Sequence, residues 1–119
     1  MRILIVDDSR ATRMIVSRVL RQAGLDESTL EEAENGQEAL DIIRAGTPDL
    51  VLSDWNMPVM SGIELLRTIQ AEGIVVKFGF VTSEHTPDMR EQAIAGGALF
   101  LLTKPFTPDS FQEVLSAIL

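Results

Sequence analysis

Residues 50–62 read LVLSDWNMPVMSG. An apolar run suited to a protein interior ends on the carboxylate of Asp54, and Trp55, Asn56, Met57 and Pro58 follow at once. A strand covered on both faces reads as a near-continuous hydrophobic run, without the polar alternation of a half-exposed one. The segment Asp49–Ser53 has that pattern, so it is predicted to be an inner strand of a parallel sheet. Whatever residue ends such a strand is delivered by a rigid element to the carboxyl edge of the sheet. Asp54 stands there.

Outward from this stretch, four more short runs read as strands: Ile3–Val6, Thr29–Ala33, Val75–Val81 and Ala98–Leu102. The stretches between them have helical period. A first helix is predicted from about Arg10 to Ala23, burying Ala11, Ile15, Val19 and Leu20, with Ser9 as N-cap and Gly24 as its stop. A second, Gly36–Ala45, carries Ala39, Leu40, Ile42 and Ile43 and stops at Gly46. A third starts near Gly62 and stripes Leu65, Leu66 and Ile69. A fourth opens on Pro87 and offers only Met89, Ala93 and Ile94 as apolar contacts. A fifth sets Phe111, Val114, Leu115 and Ile118 on one face.

Strands alternating with helices imply βαβ units, right-handed crossovers and a parallel sheet covered on both faces. The expected fold is α/β, a (βα)5 doubly wound parallel sheet spanning 1–119 as one domain. The first, third and fifth strands are apolar throughout and read as central ones. The second, TLEEA, is polar and belongs at an edge. Lys77 and the mid-strand Gly79 mark the fourth as weak or closely approached.

Composition narrows the function. A chain of 119 residues has the size of one ordinary domain. Its formal charge of -8 argues against direct nucleic-acid binding, which needs clustered Lys and Arg, and suits a cation site or a basic partner. Cysteine is absent, which removes disulfides, thiolate chemistry and Cys-based zinc. No apolar run approaches the roughly 18 residues of a membrane span. A cytoplasmic protein is expected. The apolar ending SAIL, without a polar tail, raises the expectation of a domain cut from a longer protein.

In an open parallel sheet, ligands bind outside the carboxyl ends of the strands. The first strand ends in Asp7 and Asp8, the third in Asp54, the fourth in Thr82 and Ser83, and the fifth in Thr103 and Lys104 before Pro105. Carboxylates brought this close cannot all stay ionised without a cation, and Lys104 supplies only one charge. A hard divalent ion completes the balance, and an all-oxygen ligand set favours Mg²⁺. A metal, a hydroxyl, an ammonium and a free carboxylate together make a phosphoryl-transfer site with Asp54 as nucleophile. Each residue alone has a plainer reading. Asp7 and Asp8 could serve a helix dipole, Asp54 a turn with Pro58, Thr82 the cap of the fourth helix, and Lys104 the surface. One such residue at each of four strand ends is the pattern that a site requires. His85, the single histidine, reads as a solvated loop residue, and Trp55 as packing beside the site.

Five motifs, ILIVDDS, AENGQEAL, DLVLSDWNMPVMSG, VTS and LLTKPF, occur in this order. Through them the whole chain resembles the receiver domain of two-component response regulators, of the CheY-like type. The resemblance implies a flavodoxin-like sheet with strand order 2-1-3-4-5. It implies that Asp54 is the phosphoacceptor of a phosphorelay, taking its phosphoryl group from a histidine kinase or phosphotransfer protein. Asp8, Asp54 and the Asn56 backbone carbonyl would ligate Mg²⁺, with Asp7 acting through a water. Thr82 and Lys104 would hold phosphoryl oxygens, and the Lys104–Pro105 bond would be cis. Asn56 and Glu84 would tune hydrolysis. The output surface would be the fourth helix, fifth strand and fifth helix, facing an output protein or domain that the sequence does not name. Such a domain catalyses only its own phosphorylation and dephosphorylation.

One departure concerns the switch. Members of the family usually carry an aromatic three residues before the lysine, to which the threonine couples; here Leu101 stands there, with Phe100 before it. Leu101 therefore implies an altered readout, and it keeps open a pseudo-receiver that only binds proteins. A phosphatase of the haloacid dehalogenase type shares the Asp nucleophile and Mg²⁺, but needs an acid where Asn56 stands. A flavodoxin-like FMN carrier fits less well, because DDSRATR offers carboxylates to the flavin phosphate.

Overall fold

A computed structural model describes residues 1–25 and 27–118. The elements are β1 (Arg2–Val6), α1 (Arg10–Leu20), β2 (Thr29–Ala33), α2 (Gly36–Ala45), β3 (Leu50–Ser53), α3 (Gly62–Ala71), β4 (Lys77–Thr82), α4 (Pro87–Ala95), β5 (Phe100–Thr103) and α5 (Pro108–Ile118). All strand pairs are parallel and the sheet order is β2-β1-β3-β4-β5. This is the doubly wound arrangement, with cores on both faces. Leu4, Val6, Val51, Phe78 and Phe80 pack toward α2, α3 and α4. Ile3, Ile5, Leu50, Leu52 and Val81 pack toward α1 and α5. Among the described residues, no helix is long and apolar enough to cross a membrane.

The helix starts follow local chemistry. Ser9 Oγ accepts from Thr12 N at 3.2 Å, Asn35 Oδ1 from Glu38 N at 2.8 Å, and Ser61 forms a reciprocal capping box with Glu64. At α4 the cap is Thr86, whose hydroxyl accepts from Met89 N at 3.1 Å. Thr82 is therefore not spent on capping. After α1 the chain continues through a wider turn, Arg21–Leu25, in which Gly24 takes φ 100° and ends the helix.

Several expectations are corrected. Helix α1 is turned so that Ala11 and Ile15 are exposed, while Arg13 and Val16 join Val19 and Leu20 inside. An arginine anchored below the helix sets that rotation. Ile94 is exposed, and α4 buries only Met89 and Ala93. Ile42, Val114 and Ile118 are half-buried. The fourth strand starts at Lys77 rather than Val75, which is 93% exposed. It is a well-buried inner strand and not a weak one. Gly79 is the price of a close approach: a Cβ there would lie 2.2 Å from Phe100 Cζ, so the ring fills the place of the missing side chain. The fifth strand starts at Phe100 and forms an edge, apolar because both its faces are covered.

Candidate functional site

Parallel register brings the acids together. Val6 pairs with Ser53, so Asp7 and Asp54 leave the sheet side by side, and Asp54 N donates to Val6 O at 2.8 Å. Asp7 is buried; its Oδ1 accepts from Ser9 N at 2.9 Å and its Oδ2 from Lys104 Nζ at 3.0 Å. Lys104 Nζ also donates to Asp54 Oδ2 at 3.3 Å, and so bridges the two carboxylates. Asp8 is exposed beside them, and carboxylate oxygens of Asp7, Asp8 and Asp54 lie within 4.8 Å of one another.

The electrostatics are unbalanced. Burial lifts the Asp54 pKa above its ordinary 3.8; Lys104 pulls it down, as do the backbone N–H of Trp55 and the Thr82 hydroxyl, while Asp7 pushes it up. Desolvation wins over these partners. A group of acids that one ammonium does not neutralise, all offering oxygen, fits a hard divalent cation.

The remaining residues take their places around Asp54. Thr82 is wholly buried at the end of β4; its Oγ1 accepts from Glu84 N at 3.5 Å and its carbonyl from Lys104 N at 2.8 Å. Glu84 and Asn56 are exposed at the rim. Ser83 and Thr103 are exposed as well, and Thr103 Oγ1 lies 3.3 Å from His85 Nδ1. The Lys104–Pro105 peptide is cis. Leu101 is 9% exposed in the core beneath α4, alongside Met89, Ala93 and Ala98.

Two features keep the β3–α3 loop against the site. Gly62 lets α3 start close by, since a Cβ there would meet Asp54 O at 2.1 Å. The Trp55 backbone N–H donates to Asp54 Oδ1 at 2.7 Å, and the Trp55 ring lies 4.8 Å from that of Phe80. Its indole is packed in the core, in line with the sequence reading. Val59 takes φ 67°, a left-handed conformation unusual for a β-branched residue.

Arg13 was missed by the sequence reading. It is 7% exposed, with NH1 donating to Asp7 O at 2.6 Å and Nε to Glu32 Oε1 at 2.9 Å. The available signal was its spacing: 13, 16 and 20 form one helical stripe whose other members are Val16 and Leu20.

Comparisons with known proteins agree with this architecture. The family model described as the response regulator receiver domain matches residues 3–116. Chemotaxis protein CheY-3 of Vibrio cholerae serotype O1 is 37% identical over 120 residues, covering 99% of this chain and 91% of that protein. Chemotaxis protein CheY of Pseudomonas aeruginosa is 36% identical over 120 residues, covering 99% and 95%. The structure of Vibrio cholerae chemotaxis protein CheY4 superposes with a TM-score of 0.86 at 33% identity, covering 99% of this chain and 98% of that one.

Proposed function

Since the chain belongs to the response regulator receiver domain family, we propose that it is a phosphoacceptor of a phosphorelay and that Asp54 takes the phosphoryl group. The observation that carries this reading is the bridge of Lys104 Nζ to both Asp7 and Asp54, beside a buried threonine hydroxyl. Receiver domains act with histidine kinases and output partners, and are signalling domains rather than turnover enzymes. The donor here is a phosphohistidine of a kinase or phosphotransfer protein, in the cytoplasm.

An Asp54 carboxylate oxygen forms the new bond to phosphorus as the bond from phosphorus to imidazole nitrogen breaks, and the released imidazole takes a proton from solvent. Lys104 and Thr82, both beside Asp54, would hold the phosphoryl oxygens, one as a cation and one as a hydroxyl donor. Asp8, Asp54 and the Asn56 carbonyl would hold Mg²⁺, with Asp7 acting through a water. When bound, Mg²⁺ supplies charge neutralisation for the transferring group. Asn56 and Glu84 flank the route of an attacking water, so they govern the lifetime of the acyl phosphate more than its formation.

The signal leaves through Thr82. A charge-assisted hydrogen bond from its hydroxyl to the phosphoryl group is worth about 1.5–3 kcal/mol. Moving a two-state balance from 1:99 to 99:1 takes about 5.5 kcal/mol. The bond alone falls short, and Leu101 buries less area than an aromatic would. Either a partner on the surface of α4, β5 and α5 supplies the rest, where Phe100 and the exposed Ile94 and Leu99 add apolar area, or the domain is partly active before phosphorylation.

Incubation with acetyl phosphate and Mg²⁺, followed by mass-spectrometric mapping, tests the assignment. A single adduct at Asp54 is expected. Labelling of Asp54→Asn as strong as wild type would refute it.

A further inference from the structure

Helix α1 buries one charged side chain, and the phosphoacceptor chemistry makes no use of it. Arg13 lies in the inward stripe with Val16 and Leu20, where an apolar residue would satisfy the helix. Burying a guanidinium costs free energy unless its bonds offset the loss of water. Its ion-pair partner, Glu32, has a side chain 51% exposed at the β2 edge. With Glu32 half in water, that pair offsets only part of the cost. An apolar residue would satisfy the helix face without the cost.

What the guanidinium holds is more specific. NH1 donates at 2.6 Å to the carbonyl oxygen of Asp7, within the peptide that joins Asp7 to Asp8. The Asp7 side chain is fixed separately, by Ser9 N and Lys104 Nζ. Asp8 projects into solvent, and its direction follows from the orientation of that peptide. Nε anchors the arginine to Glu32 on the strand beside β1, so the planar fork joins β2 to the turn after β1. We infer that Arg13 is a positioning residue for the cation site: it locks the Asp7–Asp8 peptide so that the Asp8 carboxylate stands within reach of Asp54.

This inference rests on the reading of Asp8 and Asp54 as Mg²⁺ ligands. It can be separated from a purely electrostatic role because the two have opposite signs. The Arg13 charge repels a cation, so neutralising it tightens Mg²⁺ binding if charge is all that matters. If the fork positions Asp8, neutralising it weakens binding. A merely structural arginine would move the melting temperature and leave the affinity of the folded protein unchanged.

The test is calorimetric titration of the whole chain with MgCl₂ alone, for wild type, Arg13→Met, Arg13→Lys and Glu32→Ala. Arg13→Met is expected to raise the Kd by about tenfold or more, the usual cost of losing a residue that orients a metal ligand. Arg13→Lys keeps the charge but lacks the fork, and should weaken binding by a smaller factor. Glu32→Ala should fall between it and wild type. If Arg13→Met does not fold, Arg13→Lys decides. A Kd unchanged or lowered in the folded arginine variants overturns the positioning role and leaves the metal reading intact. No binding by wild type overturns the metal reading, and the inference falls with it.

Discussion

The cleft has two walls, and they are held in different ways. The turn after β1 is tied through Asp7: Asp7 N donates to Ala33 O, and Arg13, Ser9 N and Lys104 donate to the Asp7 oxygens. The loop after β4, residues 83–86, is exposed along its whole length. It is tied to the end of β4 by a 3.5 Å contact from Glu84 N to Thr82 Oγ1, and to β5 by the 3.3 Å contact of His85 with Thr103. Segments with little burial and solvent-facing bonds open at low free-energy cost. The contrast teaches a division of labour: the fixed wall suits binding a cation, and the lightly tied wall suits moving when Asp54 changes. Asp54, on the strand between them, touches both.

That division can be broken most sharply at Leu101, beneath α4 on the side of the lightly tied wall. Leu101→Ala deletes packed methyl groups and should cost about 2–4 kcal/mol in denaturant unfolding. Its Mg²⁺ affinity should stay within about twofold of wild type, as for distant, independent sites. A parallel loss of affinity would show that the walls are not separable.

On the fixed wall, Asp8→Asn removes a ligand charge. Calorimetry should show Mg²⁺ binding weakened by at least the roughly tenfold that losing even an outer partner costs. Intact binding would move the site away from this turn.

Asp54 itself gives a smaller effect, with a defined pH dependence. Its folded pKa lies above the ordinary 3.8 because of burial. The native state then binds this proton more tightly than the unfolded chain does. Stability from this group is greatest at low pH, declines as pH rises from the unfolded value through the folded one, and stays low above it. Without metal, Asp54→Asn should melt higher than wild type at pH 7 in a calorimetric scan. The gap should close below about pH 4. A variant that melts lower than wild type at pH 7 would mean that Lys104 outweighs burial.

The smallest effect is expected at the loop tie. Thr103→Val should change stability by less than about 0.5 kcal/mol, as for other surface positions. Amide exchange at Glu84 and His85 should nevertheless quicken. Unchanged exchange there would mean that the His85–Thr103 contact restrains nothing.

Much of this site was legible beforehand because it is written in strand ends. Asp7, Asp8, Asp54, Thr82 and Lys104 each follow a run whose apolar pattern marks a strand, and parallel register brings successive ends to one edge. The caps at Ser9 and Asn35 were local too, since each is satisfied within its own first turn. Arg13 was not legible. A helical stripe of mixed character can be read with Ile15 inside or with Arg13 inside, and the carbonyl and carboxylate that draw Arg13 inward come from two different strands.

The sequence by itself determined the alternation of five strands and helices, the polar β2, and the set of oxygen and ammonium groups at the carboxyl edge. These follow from the periods of backbone geometry and from residues acting on their neighbours in the chain. Only the tertiary structure decided that Asp7 is enclosed while Asp8 faces solvent, that β5 is an edge, and that Phe100 lies over Gly79. Each of those outcomes depends on a contact between distant segments. Periodicity shows which residues share a face, while the partner across the gap decides how that face is turned and what it meets.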